Sequence, residues 1–238
     1  MTTAPARTTA PSTPSADPPR TTAPAATARA AGADHERLGV GLRFTLLPAA
    51  DDVVPVVLGS LAAGALAVPA VQVATDDVST LVRGAEADLA RYLVAVLTHA
   101  ASATPSGHVV AVVHLSRGCP GEVGCDLEGG LAAVAPVRLA PTGLRAAAHW
   151  ALYPLATADV MGPIGRAIDR AATSGTLARP EHLVTRLEGD LADVLATLVD
   201  TWSALGGEVA HVVTHATLSL GSPTARDAGV PAAAGSVR

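Results

Sequence analysis

The sequence predicts an α+β protein built from two tandem βαββαβ repeats, each with an antiparallel sheet and with both helices on one face of that sheet. Three observations lead to this prediction. The same order of features occurs twice in the 238 residues. Two segments show the 3.6-residue period of amphipathic helices. The two copies also close on similar segments, GHVVAVVHLSRGCP (Gly107–Pro120) and AHVVTHATLSLGSP (Ala210–Pro223).

Each copy opens with an extended run that ends at a proline, followed by a helix. The extended runs are LRFTLLP (Leu42–Pro48) and HWALYP (His149–Pro154). The helices are predicted at Val53–Leu66, with Asp51 or Asp52 as N-cap, and at Val160–Ala172, with Asp159 as N-cap. An aspartate in this position accepts hydrogen bonds from the free amides of the first helical turn.

The next strand of each copy ends in a charged residue and a glycine. These strands are VSTLVRG (Val78–Gly84) and LVTRLEG (Leu183–Gly189). In the first copy an additional strand is predicted at Val71–Ala74, and Thr75-Asp76-Asp77 is predicted to form the turn between the two. Aspartates favour turns because their side chains accept hydrogen bonds from nearby backbone amides.

A second, clearly amphipathic helix follows in each copy. Its apolar face is expected to contain Leu89, Tyr92, Leu93, Val96 and Leu97 in the first copy, and Leu191, Val194, Leu195, Leu198, Val199 and Trp202 in the second. With the closing strands, each copy has the element order of a ferredoxin-like unit. The sheet face without helices needs a partner, so the two copies are expected either to face each other or to pair in a dimer.

The predicted domain limits follow from composition. The two ferredoxin-like domains are placed at residues 36–120 and 144–223, joined by a Gly/Ala/Pro-rich linker at 121–143. Residues 1–35 form a Thr/Ala/Pro-rich tail in which TTAP occurs three times, and residues 224–238 form a second tail. Such tails bury too little apolar surface to offset the entropy of ordering, so we expect both to be disordered.

Composition also excludes several classes of function. Apolar residues make up 49 % of the chain, enough for a core, but the net charge of −5 provides no basic stripe for nucleic acid. No apolar run reaches the roughly 20 residues needed to cross a bilayer, so membrane insertion is not expected. The two cysteines, Cys119 and Cys125, fit neither a disulfide framework nor a zinc ribbon. They are expected to be free thiols in the cytoplasm.

The sheet face opposite the helices, called here the open face, is predicted to carry a mixture of polar and apolar side chains. Side chains alternate between the two faces of a strand, so Phe44 and Trp150 are expected to face the helices. The candidate ligand-binding residues on the open face are Arg43, Thr45, Ser79, Arg83, His114, Ser116, His149, Tyr153, Glu188, His215, Thr217 and Ser219. This lining suits either a small polar heterocycle or a contact between sheets, and the pattern leaves both possibilities open.

Catalytic and metal sites are less well supported by the sequence. Asp76 and Asp77 are adjacent and would point to opposite faces of a strand, so a turn is favoured over a catalytic pair. His211 and His215 would lie roughly 13 Å apart on a strand, too far to share one ion unless a neighbouring strand supplies another histidine. Cys119 has no evident histidine or asparagine partner for nucleophilic catalysis. No cofactor, metal or catalytic residue is therefore predicted.

Several segments together resemble the YkoF-type thiamin and hydroxymethylpyrimidine-binding proteins. They are TDDVSTLVRG, LTHAA, HVVAVVHLSRGCPGE, WALYPLATADVM, LVTRLEGDLADV and ATLSLGSP, in this order between about Leu38 and Pro223. The resemblance implies tandem ferredoxin-like domains, a homodimer, one ligand site per domain, and a role in uptake or salvage of thiamin precursors. FTLLPA (Phe44–Ala49) lacks the aromatic residue before the proline that Tyr153 provides in the second copy, which suggests unequal sites.

The resemblance also indicates what the ligand needs from the open face. Glu188 is expected to accept a hydrogen bond from the pyrimidine amino group, and hydroxyl groups complete the set. A thiazolium cation over the ring of Tyr153 would gain roughly 0.5–2 kcal/mol. His114 or His215 would stack or form hydrogen bonds, whereas Thr80 and Thr185 should point toward the helices. An enzyme acting on the same heterocycle and an amino-acid-sensing regulatory module remain as alternatives.

Overall fold

The computed structural model describes residue 35 and residues 38–118, 134–155 and 157–225. Most of both predicted tails, both cysteines and residues 121–133 of the predicted linker lie outside the described residues. The strands are β1 (Gly41–Pro48), β2 (Gln72–Thr75), β3 (Thr80–Arg83), β4 (Val109–Arg117), β5 (Arg145–Leu155), β6 (Leu177–Pro180), β7 (Thr185–Asp190) and β8 (His211–Leu220). The helices are α1 (Val53–Ala67), α2 (Glu86–Ala103), α3 (Met161–Ser174) and α4 (Leu191–Leu205).

The strands form one antiparallel sheet in the order β2-β3-β1-β4-β8-β5-β7-β6. Each half of this order is that of a ferredoxin-like unit, so the predicted fold class is confirmed. The two units join edge to edge through β4 and β8 and do not stack face to face. Val113 pairs with Ala216 at this junction. These two residues hold the same position in the two closing segments, so a local twofold axis relates the units there.

The helices cover one face of the sheet and create the core. All residues predicted for the apolar faces of α2 and α4 are at most 3 % exposed. Phe44 and Trp150 are 3 % and 2 % exposed, so both face the helices as expected. The periodicity of the sequence therefore predicted the core-facing side of both helices correctly.

Helix α1 begins at Val53 with Asp52 as its N-cap residue, as predicted, but the Asp52 side chain makes no capping hydrogen bond. Helix α3 begins at Met161, one residue after the predicted start, and Asp159 Oδ1 accepts a hydrogen bond of 2.8 Å from the Gly162 amide. Within the described ranges, no helix combines the length and apolar character needed to cross a bilayer.

Candidate functional site

The open face extends across all eight strands and no part of the described chain covers it with a helix. It exposes large apolar side chains, among them Leu47 (53 % exposed), Tyr153 (49 %) and Leu155 (42 %). Polar side chains lie between them on the same strands. A surface of this kind is suited to a ligand or to another protein surface.

Strand register arranges many of the predicted residues in two adjacent rows across the face. The first row is Leu81, Arg43, His114, His215 and Ala151. The second row is Thr45, Val112, Thr217, His149 and Arg186. Six of the twelve predicted residues thus lie in the middle of the sheet, on both sides of the β4–β8 junction.

A hydrogen-bonded group in the first unit, called here the first-unit cluster, consists of Arg43, Thr45, Asp76 and Ser79. Arg43 Nη1 donates to Ser79 Oγ at 2.8 Å and to Asp76 Oδ2 at 3.3 Å. Thr45 Oγ1 donates to the Val78 carbonyl at 3.0 Å, which ties β1 to the β2–β3 turn. Three of these four residues were predicted from the sequence.

Asp76 has two functions in this cluster. Its Oδ1 accepts hydrogen bonds from the Ser79 amide (2.8 Å) and the Val78 amide (2.9 Å), which is the turn-capping role predicted from the sequence. These two bonds, and then Arg43, lower the pKa of Asp76. The carboxylate therefore stays ionised at neutral pH, and about half of its side chain is exposed.

Glu188 is the centre of a second group, the second-unit cluster, with Arg145, Arg179 and Arg186. Glu188 Oε1 accepts from Arg186 Nε at 2.6 Å and Oε2 accepts from Arg145 Nη2 at 2.8 Å. Arg179 Nη1 lies 3.9 Å from Oε1. The hydrogen bond from Arg186 and the charges of Arg186 and Arg145 outweigh desolvation and lower the pKa of Glu188.

A shallow cavity of about 400 Å³ adjoins this cluster and is lined by Arg145, Glu188 and Asp190 together with Gly143, Leu144 and Gly189. His149 also belongs to this region, since its Nε2 lies 3.4 Å from Arg186 Nη1. The second unit thus presents a carboxylate surrounded by guanidinium groups, whereas the first unit presents one carboxylate beside one arginine.

His114 and His215 face each other across the junction between the units. Partial desolvation lowers the pKa of His114, and the neighbouring His215 and Arg43 lower it further. His114 is therefore neutral at pH 7 and able to accept a hydrogen bond. No group of three or more potential metal ligands occurs within the part of the chain that the structure describes.

The remaining predicted residues make no hydrogen bond or ion pair with the two clusters among the contacts of the described residues. Ser116 Oγ is 3.1 Å from His211 Nε2. Arg83 packs beside Gly41, which pairs with Ser116, at the end of β3 away from Ser79. Ser219 lies between Val110 and Ala147, and Ala147 pairs with Glu188, so Ser219 is in the same row as Glu188 with one residue between them.

Tyr153 is on the open face, as predicted, but it is not close to Glu188. It pairs with Val213, whereas Glu188 pairs with Ala147, six residues earlier on β5. At about 3.3 Å per residue this is roughly 20 Å. The two residues therefore belong to different parts of the face.

Three residues of the two clusters were not among the ligand-binding residues predicted from the sequence. Asp76 was assigned to the turn alone, although its second carboxylate oxygen reaches Arg43. Arg145 precedes the predicted start of β5, which begins four residues earlier than His149. Arg179 lies on β6, a short strand that the sequence pattern did not delimit.

Comparison with known proteins agrees with the duplicated architecture. The family model described as "YKOF-related Family" matches twice, at residues 39–122 and 145–225. A protein of Bacillus subtilis (strain 168), named "Putative HMP/thiamine-binding protein YkoF", is 31 % identical over 189 residues. That alignment covers 79 % of this chain and 92 % of the relative. The chain therefore belongs to the YKOF-related family.

Proposed function

We propose that this protein binds thiamin or its hydroxymethylpyrimidine moiety on the open face, with one site in each unit, and releases the ligand chemically unchanged. The name of the Bacillus subtilis relative supports this ligand class. The observation that carries the proposal is the first-unit cluster, where Arg43 and the ionised Asp76 offer a donor and an acceptor side by side.

The first-unit cluster matches the edge of an aminopyrimidine. The amino group would donate to Asp76 Oδ2, and a ring nitrogen would accept from Arg43, while Ser79 and Thr45 supply hydroxyl groups. The negative charge of Asp76 also favours the thiazolium cation of intact thiamin. This unit is therefore the proposed site for the cationic vitamin.

The second-unit cluster has the same types of group in a different balance. Glu188 would accept from the amino group, but it already accepts hydrogen bonds from Arg145 and Arg186. A ligand must compete with these arginines, and a cation is repelled by them. We infer that the second unit binds thiamin more weakly than the first. Its preference for cationic thiamin over the neutral pyrimidine is also smaller.

We further propose that the protein is a homodimer that acts in uptake or salvage of thiamin precursors in the cytoplasm. Because the two units lie side by side in one sheet, neither covers the open face of the other. A second copy placed over this face would bury the exposed Leu47, Tyr153 and Leu155 and enclose the ligand.

Isothermal titration of the full chain with thiamin, hydroxymethylpyrimidine and a panel of amino acids tests the proposed function. We expect saturable heat with the first two, a stoichiometry approaching two per chain, and unchanged ligand by mass spectrometry. Heat with amino acids alone would favour a sensing module, and a converted product would identify an enzyme. Sedimentation equilibrium would reject the dimer if it gave the mass of one chain.

A further inference from the structure

A second cleft lies on the helix side of the sheet, away from the open face. Its volume is about 620 Å³, within the range of roughly 300–1,000 Å³ typical of small-molecule sites. One wall is a single face of α2, with residues spaced three and four apart from Arg91 to Ser102. The other wall is the segment Arg138–Thr142, which leads into the second unit.

This second wall is held in place at both ends by carboxylates of the second unit. The Val137 amide donates to Asp200 Oδ1 at 2.6 Å, and the amides of Thr142 and Gly143 donate to Asp190 at 3.0 and 2.7 Å. Asp190 is also the N-cap of α4 and accepts from the Ala192 amide. The cleft is therefore built from fixed backbone on both sides.

The lining combines an apolar floor with positive charge. Val94, Ala95 and Leu139 supply apolar surface, and Arg91 and Arg138 supply guanidinium groups. The lining residues that the structure describes include no carboxylate. Arg91 is paired with Asp88, but Arg138 makes no hydrogen bond or ion pair within the described residues.

Asp200, which interacts electrostatically with Arg138, already serves as a hydrogen-bond acceptor for the backbone. Asp200 accepts the hydrogen bond from Val137, and burial raises its pKa despite that bond and the charges of Arg138 and Arg170. No ion pair within 4.0 Å joins it to Arg138. As far as the described residues show, the guanidinium of Arg138 is thus available to an anion from solution.

A hydroxyl in the same wall also lacks a partner. Hydroxyl groups inside helices commonly donate to the carbonyl four residues earlier, as Ser60, Thr173 and Thr201 do here. Thr98 Oγ1 makes no such bond and is buried without any partner in the described structure. This oxygen has almost no exposed surface, so a molecule in the open cleft does not reach it as the side chain stands, and the site is argued from Arg138 and the apolar floor.

We propose that this cleft is a separate binding site for an organic anion with an apolar body, such as a carboxylate, sulfonate or phosphate ester on a hydrophobic scaffold. Arg138 binds the anionic group, and the floor of Val94, Ala95 and Leu139 receives the apolar part. The site is independent of the open face, because it lies on the opposite side of the sheet.

The probe for this site is 8-anilinonaphthalene-1-sulfonate, titrated by fluorescence into the full chain. We expect Arg138→Gln to weaken binding at least five-fold and Ala95→Trp, which fills the floor, to remove it. Arg170→Gln is the matched control, since Arg170 also acts on Asp200 but does not line the cleft. It should leave the affinity within two-fold of the wild type.

Three results would overturn the proposal. Unchanged affinity in Arg138→Gln would remove the anion contact, and equal weakening in Arg138→Gln and Arg170→Gln would indicate unspecific attraction. Displacement of the probe by thiamin would place it on the open face. Circular dichroism checks folding, and because Arg138 is exposed, Arg138→Gln decides the question even if Ala95→Trp misfolds.

Discussion

Arg117 Nε donates a hydrogen bond of 2.8 Å to Glu86 Oε1, and the two side chains are only 2 % and 8 % exposed. Arg117 Nη1 also donates to the Ser203 carbonyl at 3.1 Å. Glu86 and Arg117 belong to the first unit and Ser203 to α4 of the second, so this buried ion pair links the two units.

The duplicated fold provides a natural comparison for this pair. Glu86 is the first residue of α2 and Arg117 the last residue of β4. The first residue of α4 and the last residue of β8 are Leu191 and Leu220, and both are buried. The same two positions are therefore occupied by an ion pair in one unit and by leucines in the other.

We predict that Glu86→Leu and Arg117→Leu each destabilise the protein by about 3–5 kcal/mol, since each breaks this buried ion pair while the other charge stays in the interior. The double substitution should cost much less than the sum, because it recreates the leucine pair of the second unit. Urea unfolding of the four proteins measures the coupling. Additive losses would show that the two charges do not depend on each other.

Asp76→Asn tests the first-unit cluster. Asparagine retains the oxygen that caps the Val78 and Ser79 amides but removes the charge beside Arg43. We expect about a ten-fold loss of thiamin affinity by titration calorimetry, with little change in stability because the ion pair is exposed. Asp77→Asn removes an equal charge at the neighbouring residue, and an equal loss there would exclude a specific contact with Asp76.

Glu188→Gln tests the second-unit cluster. The substitution replaces the carboxylate shared by Arg145 and Arg186 with an amide, so one of the two acceptor oxygens and the negative charge are lost. We expect weaker pyrimidine binding in the second unit and an intact fold. Glu181→Gln, which neutralises a carboxylate beside Arg179 at the edge of the sheet and leaves Glu188 in place, is the control. Unchanged binding in Glu188→Gln would remove this residue from the site.

The face on which each side chain lies could be predicted from the sequence, because alternation in strands and the 3.6-residue period of helices are local properties. Arg43, Thr45 and Ser79 were identified in this way. Distances along the face depend on strand register, which local patterns do not contain. For this reason Tyr153 was grouped with Glu188, although register separates them by roughly 20 Å.

The edge-to-edge junction between the two units could not be predicted from the sequence, because local patterns do not show which strand edges pair. Pairing of β4 with β8 uses backbone groups that every residue possesses, so no side chain marks it. Arg117 did provide a signal, because it continues the inward-facing series of Val109, Ala111, Val113 and Leu115. A charge at an inward position indicates a buried partner, but only the fold identifies Glu86.

His114 should make stability depend on pH. Its pKa in the folded protein is lowered from 6.5. As the pH falls, His114 is therefore protonated at a higher pH in the unfolded chain than in the folded protein. Above the ordinary histidine pKa, His114 has no effect on the free energy of unfolding. As the pH falls from there through the lowered pKa of the folded protein, protonation of His114 reduces the stability. His114→Gln should lose less stability than the wild type between pH 7 and pH 5, measured by urea unfolding. His182→Gln, at an exposed turn, is the control, and parallel curves for wild type and His114→Gln would contradict the prediction.

Two glycines in equivalent helices should respond to alanine with opposite signs. A Cβ on Gly64 of α1 would lie 2.7 Å from Val96 Cγ2 and 2.8 Å from Tyr92 Cε2, and both of these side chains are fully buried. Gly165 of α3 has no atom within 4 Å of that position.

Gly64→Ala should therefore destabilise the protein, because overpacking costs about 1–3 kcal/mol and exceeds the gain in helix propensity. Gly165→Ala should stabilise by about 0.5–1 kcal/mol, since alanine favours a helix over glycine. Thermal unfolding of both variants compares them directly, and stabilisation by Gly64→Ala would mean that α1 can move away from α2 at little cost.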